Sequence, residues 1–201
     1  MALNLFGVAV NDAHMSQLEV ADTQLIAVRD LAAICGTTES RNVTAELPVV
    51  ARFADVVAAY SAAGPVLPAP IGVVFRSSDA VQRWLELHYG ALTEALSFVE
   101  NRVAARVHMY RPAGDRDAGL DVASIAAECL RALRRSAVAT LPLRAEKVGG
   151  VLLSAAFLVE RDLWKDFASE VDAQAKLSSN IRLELTGPWP PYDFVQMQLG
   201  A

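Results

Sequence analysis

The 201-residue sequence is poor in the residues that most often carry metal or redox chemistry. It has two cysteines, Cys35 and Cys129, far apart and without C-x-x-C spacing. They are expected to be two buried thiols in a reducing cytoplasm. Of its three histidines, His14, His88 and His108, the last lies on a predicted strand with no acid or cysteine beside it at metal-ligand spacing. His88 falls on an apolar helical stripe, where a hydrogen-bonded core histidine is the expected role. No metal and no cofactor are therefore expected. No run approaches the roughly 18 uninterrupted apolar residues of a membrane span. The start, M-A-L-N-L-F-G-V, lacks a basic region and a small-residue cleavage site, so neither export nor membrane insertion is expected. The sequon at Asn42 is then a chance match.

Positive charge is also scarce. The net charge is −5, and Arg131, Arg134 and Arg135 form the one arginine cluster, on a single predicted helix. Nucleic acid is excluded as the main partner on that balance. Asp115, Asp117 and Asp121 have the outline of a calcium loop, but Leu120 stands where the loop needs glycine and Ala126 where it needs a bidentate glutamate. C-G-T-T-E-S, Cys35 to Ser40, lacks the second glycine and the lysine of a phosphate loop. No G-x-S-x-G elbow marks a nucleophile. Nothing in the pattern points to an enzyme, and a non-enzymatic protein is expected.

What is present is a periodic, apolar chain with 53% hydrophobic residues. Val103 to Tyr110 alternates with period two, as a strand does. After the polar loop R-P-A-G-D-R-D-A-G, Asp121 is a good N-cap for a helix with Val122, Ile125, Ala126, Cys129, Leu130 and Leu133 on one stripe. Ala137 to Leu143 contains Pro142 and is expected at a sheet edge. A turn at Glu146 and Lys147 leads to Val151–Val159, almost continuously apolar, as a strand covered on both faces is. A helix with Trp164, Phe167, Ala168 and Val171 inward follows, then an alternating strand from Ile181 to Leu185. The order is βαββαβ, the ferredoxin-like split motif, with the third strand central and the second at an edge.

The first half predicts a strand over Leu3–Val10 and one or two short strands within Leu18–Val28, near the break at Ala21-Asp22. A helix entered at Pro48 carries Val49, Phe53, Val56, Val57 and Tyr60. Val66 to Phe75 reads as one proline-entered strand. Ser78 or Asp79 caps a long helix bearing Val81, Trp84, Leu85, His88, Leu92, Ala95, Leu96 and Val99. The expected fold class is α+β with two domains. Residues 1–76 form a small α/β domain, 77–100 a bridging helix, 101–186 the ferredoxin-like domain and 187–201 an extended proline- and aromatic-rich tail.

That tail is the most unusual stretch. In L-T-G-P-W-P-P-Y-D-F-V, Leu185 to Val195, three prolines fix φ and remove donors beside three aromatic rings. Its signature residues are Gly187, Pro188, Trp189, Pro190, Pro191, Tyr192 and Phe194. They are expected to serve as an interdomain strap on the N-terminal domain or as a contact for a partner. The strap is favoured, because three aromatic side chains left in water are an aggregation liability.

Following A-A-F-L-V at Ala155 to Val159, this ending resembles the closing signature of the gas vesicle protein GvpL/GvpF family. V-L-P-A-P-I-G-V-V-F at Val66 to Phe75 is similar to that family's central strand. L-F-G-V near the start fits its first strand, and the long helix leading into A-R-V-H-M fits as well. The resemblance implies assembly rather than catalysis, inside the cell at the gas vesicle. It implies as partners the small, strongly apolar shell protein and other accessory gas vesicle proteins. A ferredoxin-like domain that binds or converts a small molecule is the competing expectation, since the fold alone identifies no function.

Overall fold

A computed structural model describes residues 1–39, 43–111, 119–144, 150–178, 180–195 and 197. The chain divides into two units, Met1–Asn101 with Pro190–Ala201, and Arg102–Trp189.

In the first unit, β1 (Ala2–Val10) and β3 (Leu31–Thr38) form the middle of a sheet ordered β2–β3–β1–β4. Here β2 is Gln24–Val28 and β4 is Val66–Pro68. A further short strand, β5 (Val74–Phe75), also pairs with β1. All the pairings are antiparallel. A short helix, α1 (Ala13–Ser16), follows β1 and is capped by the Asp12 side chain.

Helices cover both faces of this sheet. On one face α2 (Leu47–Ala63) brings Phe53, Val56, Val57 and Tyr60 onto Phe6, Ala9 and Ile34. Each of these large side chains contributes roughly 1.5–3 kcal/mol when taken out of water. Pro48 sits in the helix's first turn, where its missing N–H costs nothing. On the other face α3 (Ser78–Leu87) and α4 (Tyr89–Val99) bring Val81, Trp84, Leu85, Leu92 and Leu96 onto Leu3, Leu5, Val8 and Leu31.

Four details differ from expectation. The long helix is two helices, because His88 takes φ −103° and ψ 10° and caps both. His-Tyr-Gly at 88–90 is a run of weak helix formers, so the helix breaks where propensity is lowest. Its N-cap is Ser77, one residue earlier than expected, accepting from the amide of Ala80. Both helices belong to the first unit rather than standing apart as a bridge. Val66–Phe75 is likewise two short strands, because Pro70 removes a donor and Gly72, at φ +95°, turns the chain.

The second unit runs β6 (Arg102–Tyr110), α5 (Gly119–Arg134), β7 (Ala139–Pro142), β8 (Val151–Glu160), α6 (Trp164–Leu177) and β9 (Arg182–Trp189). The antiparallel sheet has the order β7–β8–β6–β9. The apolar β8 lies inside the sheet, and Pro142 sits on an edge strand, where its missing donor does least harm. The core joins Val122, Ala126, Cys129 and Leu133 of α5 and Phe167 and Val171 of α6 to Val107, Met109, Ala155 and Phe157 of the sheet. The rings of Phe157 and Phe167 meet with centroids 5.3 Å apart. The helix α5 begins at Gly119, two residues ahead of the expected cap at Asp121. Residues 112–118, with Asp115 and Asp117, lie outside the described residues, as do Asn42 and the expected turn at Glu146 and Lys147.

Candidate functional site

The signature segment divides between the two units. Gly187, Pro188 and Trp189 are not tail but the end of β9, with Trp189 opposite Ala104 of β6. The pairing shifts register between Ala104 and Arg106, which lets this edge strand carry Pro188. Gly187 has φ +129°, a conformation that an L side chain rarely adopts. A β-carbon there would lie 2.9 Å from the carbonyl oxygen of Ala104 and 2.9 Å from Cη2 of Trp164. Trp164 in turn stacks near Phe167, so the glycine allows β9 to lie close over an aromatic pair on α6. Trp189 donates its Nε1–H to Thr186 Oγ1 at 3.3 Å, yet the residue is 49% exposed.

From Pro190 onward the chain is part of the first unit. Pro191 is buried and precedes a single 3-10 turn, Tyr192–Phe194, closed by bonds from Tyr192 N–H to the Pro190 carbonyl and from Phe194 N–H to the Pro191 carbonyl. Tyr192 packs on the cluster of Phe6, Ile34, Phe53 and Tyr60, and its burial pushes the phenol pKa up. Val195 and Met197 pack on the opposite cluster, with Leu67, Trp84 and Leu92. Phe194 lines a cavity of about 210 Å³ beside those residues and His88. The seven expected residues therefore do not form one site. Three end a strand in one unit, and four open the strap of the other. Tyr192 packs on a core cluster and Phe194 is half-buried beside a cavity, whereas Trp189 stands half in solvent on a sheet edge.

The histidines have ordinary structural environments. The rings of His88 and Trp84 meet at a tilt with centroids 5.6 Å apart, and His108 Nδ1 meets Ser154 Oγ at 2.9 Å across the β6–β8 ladder. Cys35 and Cys129 are both buried free thiols. Cys129 Sγ lies 3.1 Å from Ser178 Oγ, and burial raises the Cys35 pKa to about 12. In the first unit a cavity of about 540 Å³ opens between the end of the sheet and the start of α2. Asn4, Thr37, Thr44 and Arg52 line it with Phe6 and Val49. Asn4 Oδ1 is buried there without a hydrogen-bond partner among the described residues. Sequence reasoning missed this cleft, since its lining comes from four separate stretches that no motif links.

The decisive comparison is with protein families. The model of the gas vesicle synthesis protein GvpL/GvpF family matches residues 4–121 and 119–196, which takes in both units and the whole signature segment. The chain belongs to the GvpL/GvpF family. Among relatives it is similar to gas vesicle protein F2 of Halobacterium salinarum, 26% identical over all of this chain and 88% of that one. Gas vesicle protein F1 of the same organism is 24% identical over 68% of this chain and 62% of its own length. Two crystal structures share the fold. GvpF from Anabaena sp. PCC7120 superposes with a TM-score of 0.81 at 15% identity, over 98% of this chain and 97% of that one. GvpF from Microcystis aeruginosa superposes with a TM-score of 0.79 at 12% identity, over 98% and 99%. The role of this GvpL/GvpF chain is therefore tied to gas vesicles. Among the described residues, no helix is long and apolar enough to cross a membrane.

Proposed function

We propose that this GvpL/GvpF protein is a non-enzymatic assembly factor that works in the cytoplasm and at the gas vesicle. It binds the small apolar shell protein, other accessory gas vesicle proteins, or both, while the shell is nucleated or extended. The observation that carries this reading is the family match, which spans the two units and the signature segment rather than one module. Physical need points the same way. A soluble pool of strongly apolar subunits aggregates through exposed patches and open strand edges unless a partner covers them. The second unit, with two helices against a β7–β8–β6–β9 sheet, is read as a ferredoxin-like module. The segment from Gly187 is read as a family signature whose exposed ring, Trp189, is the member free to touch a partner.

The test is co-purification. The tagged full chain, co-expressed with the shell protein and the other accessory gas vesicle proteins, is expected to retain at least one of them through a high-salt wash. Retention of none, by a chain that melts cooperatively, would overturn the reading.

A further inference from the structure

Each sheet has two edges, and three of these four are blunted by devices that natural proteins use against strand addition. On the far side of the second sheet, β7 carries Pro142. At its other edge β9 carries Pro188, a register shift and the charged pair Arg182–Glu184. In the first sheet the edge beyond β1 is shared by β4, three residues long, ending on Pro68 and flanked by Pro65 and Pro70, and by β5, only two residues long. The fourth edge is β2, Q-L-I-A-V, Gln24 to Val28, with no proline, no bulge and no charge.

The register shows which groups that edge presents. β2 and β3 are joined by the two-residue turn Arg29-Asp30, with Val28 opposite Leu31. Across a two-residue turn the flanking residues must be the hydrogen-bonded pair, so Val28, Ile26 and Gln24 bond to β3. The N–H and C=O groups of Leu25 and Ala27 then point away from the sheet. No backbone bond to either residue occurs from any described turn or loop. Ala27 is exposed, as is Gln24. A strand laid on this edge continues two packed layers. On one face it lies beside Ile26 and Val28, in the core shared with α3 and α4, and on the other beside Leu25, in the core shared with α2. A strand that meets apolar side chains on both faces is matched best by apolar residues of its own.

We infer that β2 is a docking edge that takes an extended, uncharged, proline-free apolar segment of a gas vesicle protein as an added strand. This rests on the proposed assembly role and assigns the surface that performs it. Backbone bonds at Leu25 and Ala27 supply affinity, and the apolar demand on both faces supplies selectivity. It also explains why an otherwise guarded fold leaves one regular edge open.

The experiment uses the full chain, Ala27→Pro, Ala27→Lys and, as a surface-charge control, Leu141→Lys on the β7 edge. Each is co-expressed with the shell protein and the accessory gas vesicle proteins, and retained protein is quantified beside the melting temperature. Ala27→Pro removes an outward donor and leaves the β3 ladder intact; Ala27→Lys keeps the backbone but sets a charge on the edge. Both Ala27 variants are expected to melt close to the parent and retain about tenfold less partner or lower still, with Leu141→Lys unchanged. If Ala27→Pro fails to fold, Ala27→Lys carries the comparison. The amides of Leu25 and Ala27 are expected to exchange rapidly in the isolated chain and slowly in the complex. Partner retention by folded Ala27 variants at the parental level overturns this inference alone. So does equal loss in Leu141→Lys, or a parent that dimerises through β2. A parent that retains no gas vesicle protein overturns the inference together with the proposed role.

Discussion

Replacing Gly187 by alanine tests the local geometry of the signature more sharply than removing an aromatic ring. The substitution adds one methyl group, but at φ +129° an L residue is in a region occupied almost only by glycine. Holding alanine there costs about 1–3 kcal/mol. The new β-carbon would also meet the Ala104 carbonyl oxygen and Trp164 Cη2, each at 2.9 Å. The tryptophan is the end of a side chain and can give slightly. The carbonyl belongs to the inner strand β6 and cannot move without its ladder. Overpacking of that kind adds roughly 1–3 kcal/mol, for a total on the order of 3 kcal/mol. In a domain of this size class each kcal/mol lowers the melting temperature by about 2–8 °C, so a fall on the order of 10 °C is expected. Thermal unfolding followed by circular dichroism measures it, with Thr186→Ala as a neighbouring control. A Gly187→Ala protein melting within a degree of the parent would refute the close packing of β9 over β6 and Trp164.

Cys129→Ala is expected to cost about 1 kcal/mol, because it empties a buried site and leaves the Ser178 hydroxyl without its partner, while partner retention stays at the parental level. Selective loss of retention at an unchanged melting temperature would contradict that. Burial holds the Cys35 thiol at a pKa of about 12 against 9.0 ordinarily. Its contribution to stability is full below pH 9 and is lost as pH rises toward 12, at up to about 1.4 kcal/mol per pH unit, so denaturant midpoints should fall more steeply above pH 9 in the parent than in Cys35→Ala. Parallel curves would refute the burial argument. Tyr192→Ala should lower stability by about 1–3 kcal/mol and Trp189→Ala by less than about 1 kcal/mol, since one ring packs in a core and the other is half exposed. Equal melting temperatures for the two variants would contradict the division of the signature.

The legible parts were those where burial is one-sided or where proline restricts the choice. β6 alternates because Val107 and Met109 face the core while Arg106 and His108 face away, and period two survives in the sequence. β3 went unseen for the opposite reason. Leu31–Thr38 is buried over six consecutive residues, so nothing alternates, and Ala-Ala-Ile-Cys-Gly is a poor strand by propensity. Small residues suit it there, because the strand is sandwiched between helices on both faces. The break at His88 was masked by an apolar stripe that continues unshifted through both helices, with His88 N–H still bonded to the Trp84 carbonyl. The signature was legible as a family mark but not as a structure. Three prolines in sequence suggest one ribbon, and nothing in that spacing says that Gly187–Trp189 continues a strand while Pro191 begins a strap.

That division bears on where binding occurs. The residues that mark the family are mostly committed to their own chain: Gly187 to a close strand contact, Pro191 and Tyr192 to the core of the first unit. A residue held by such contacts can detach for a partner only by giving up the burial that orders it, which costs about 2 kcal/mol for a ring such as Tyr192. A strand edge has no such cost, because outward groups such as those inferred at Leu25 and Ala27 exchange water for a partner's backbone. An assembly factor of the proposed kind, which has to bind a partner and let it go, would be better served by the second kind of surface. The prediction that separates them is a pair of variants. Tyr192→Phe keeps the packed ring and should keep both stability and partner retention, whereas Ala27→Lys should keep stability and lose retention. If Tyr192→Phe lost partner at an unchanged melting temperature while Ala27→Lys kept it, the strap would be the binding surface and the open edge of β2 incidental.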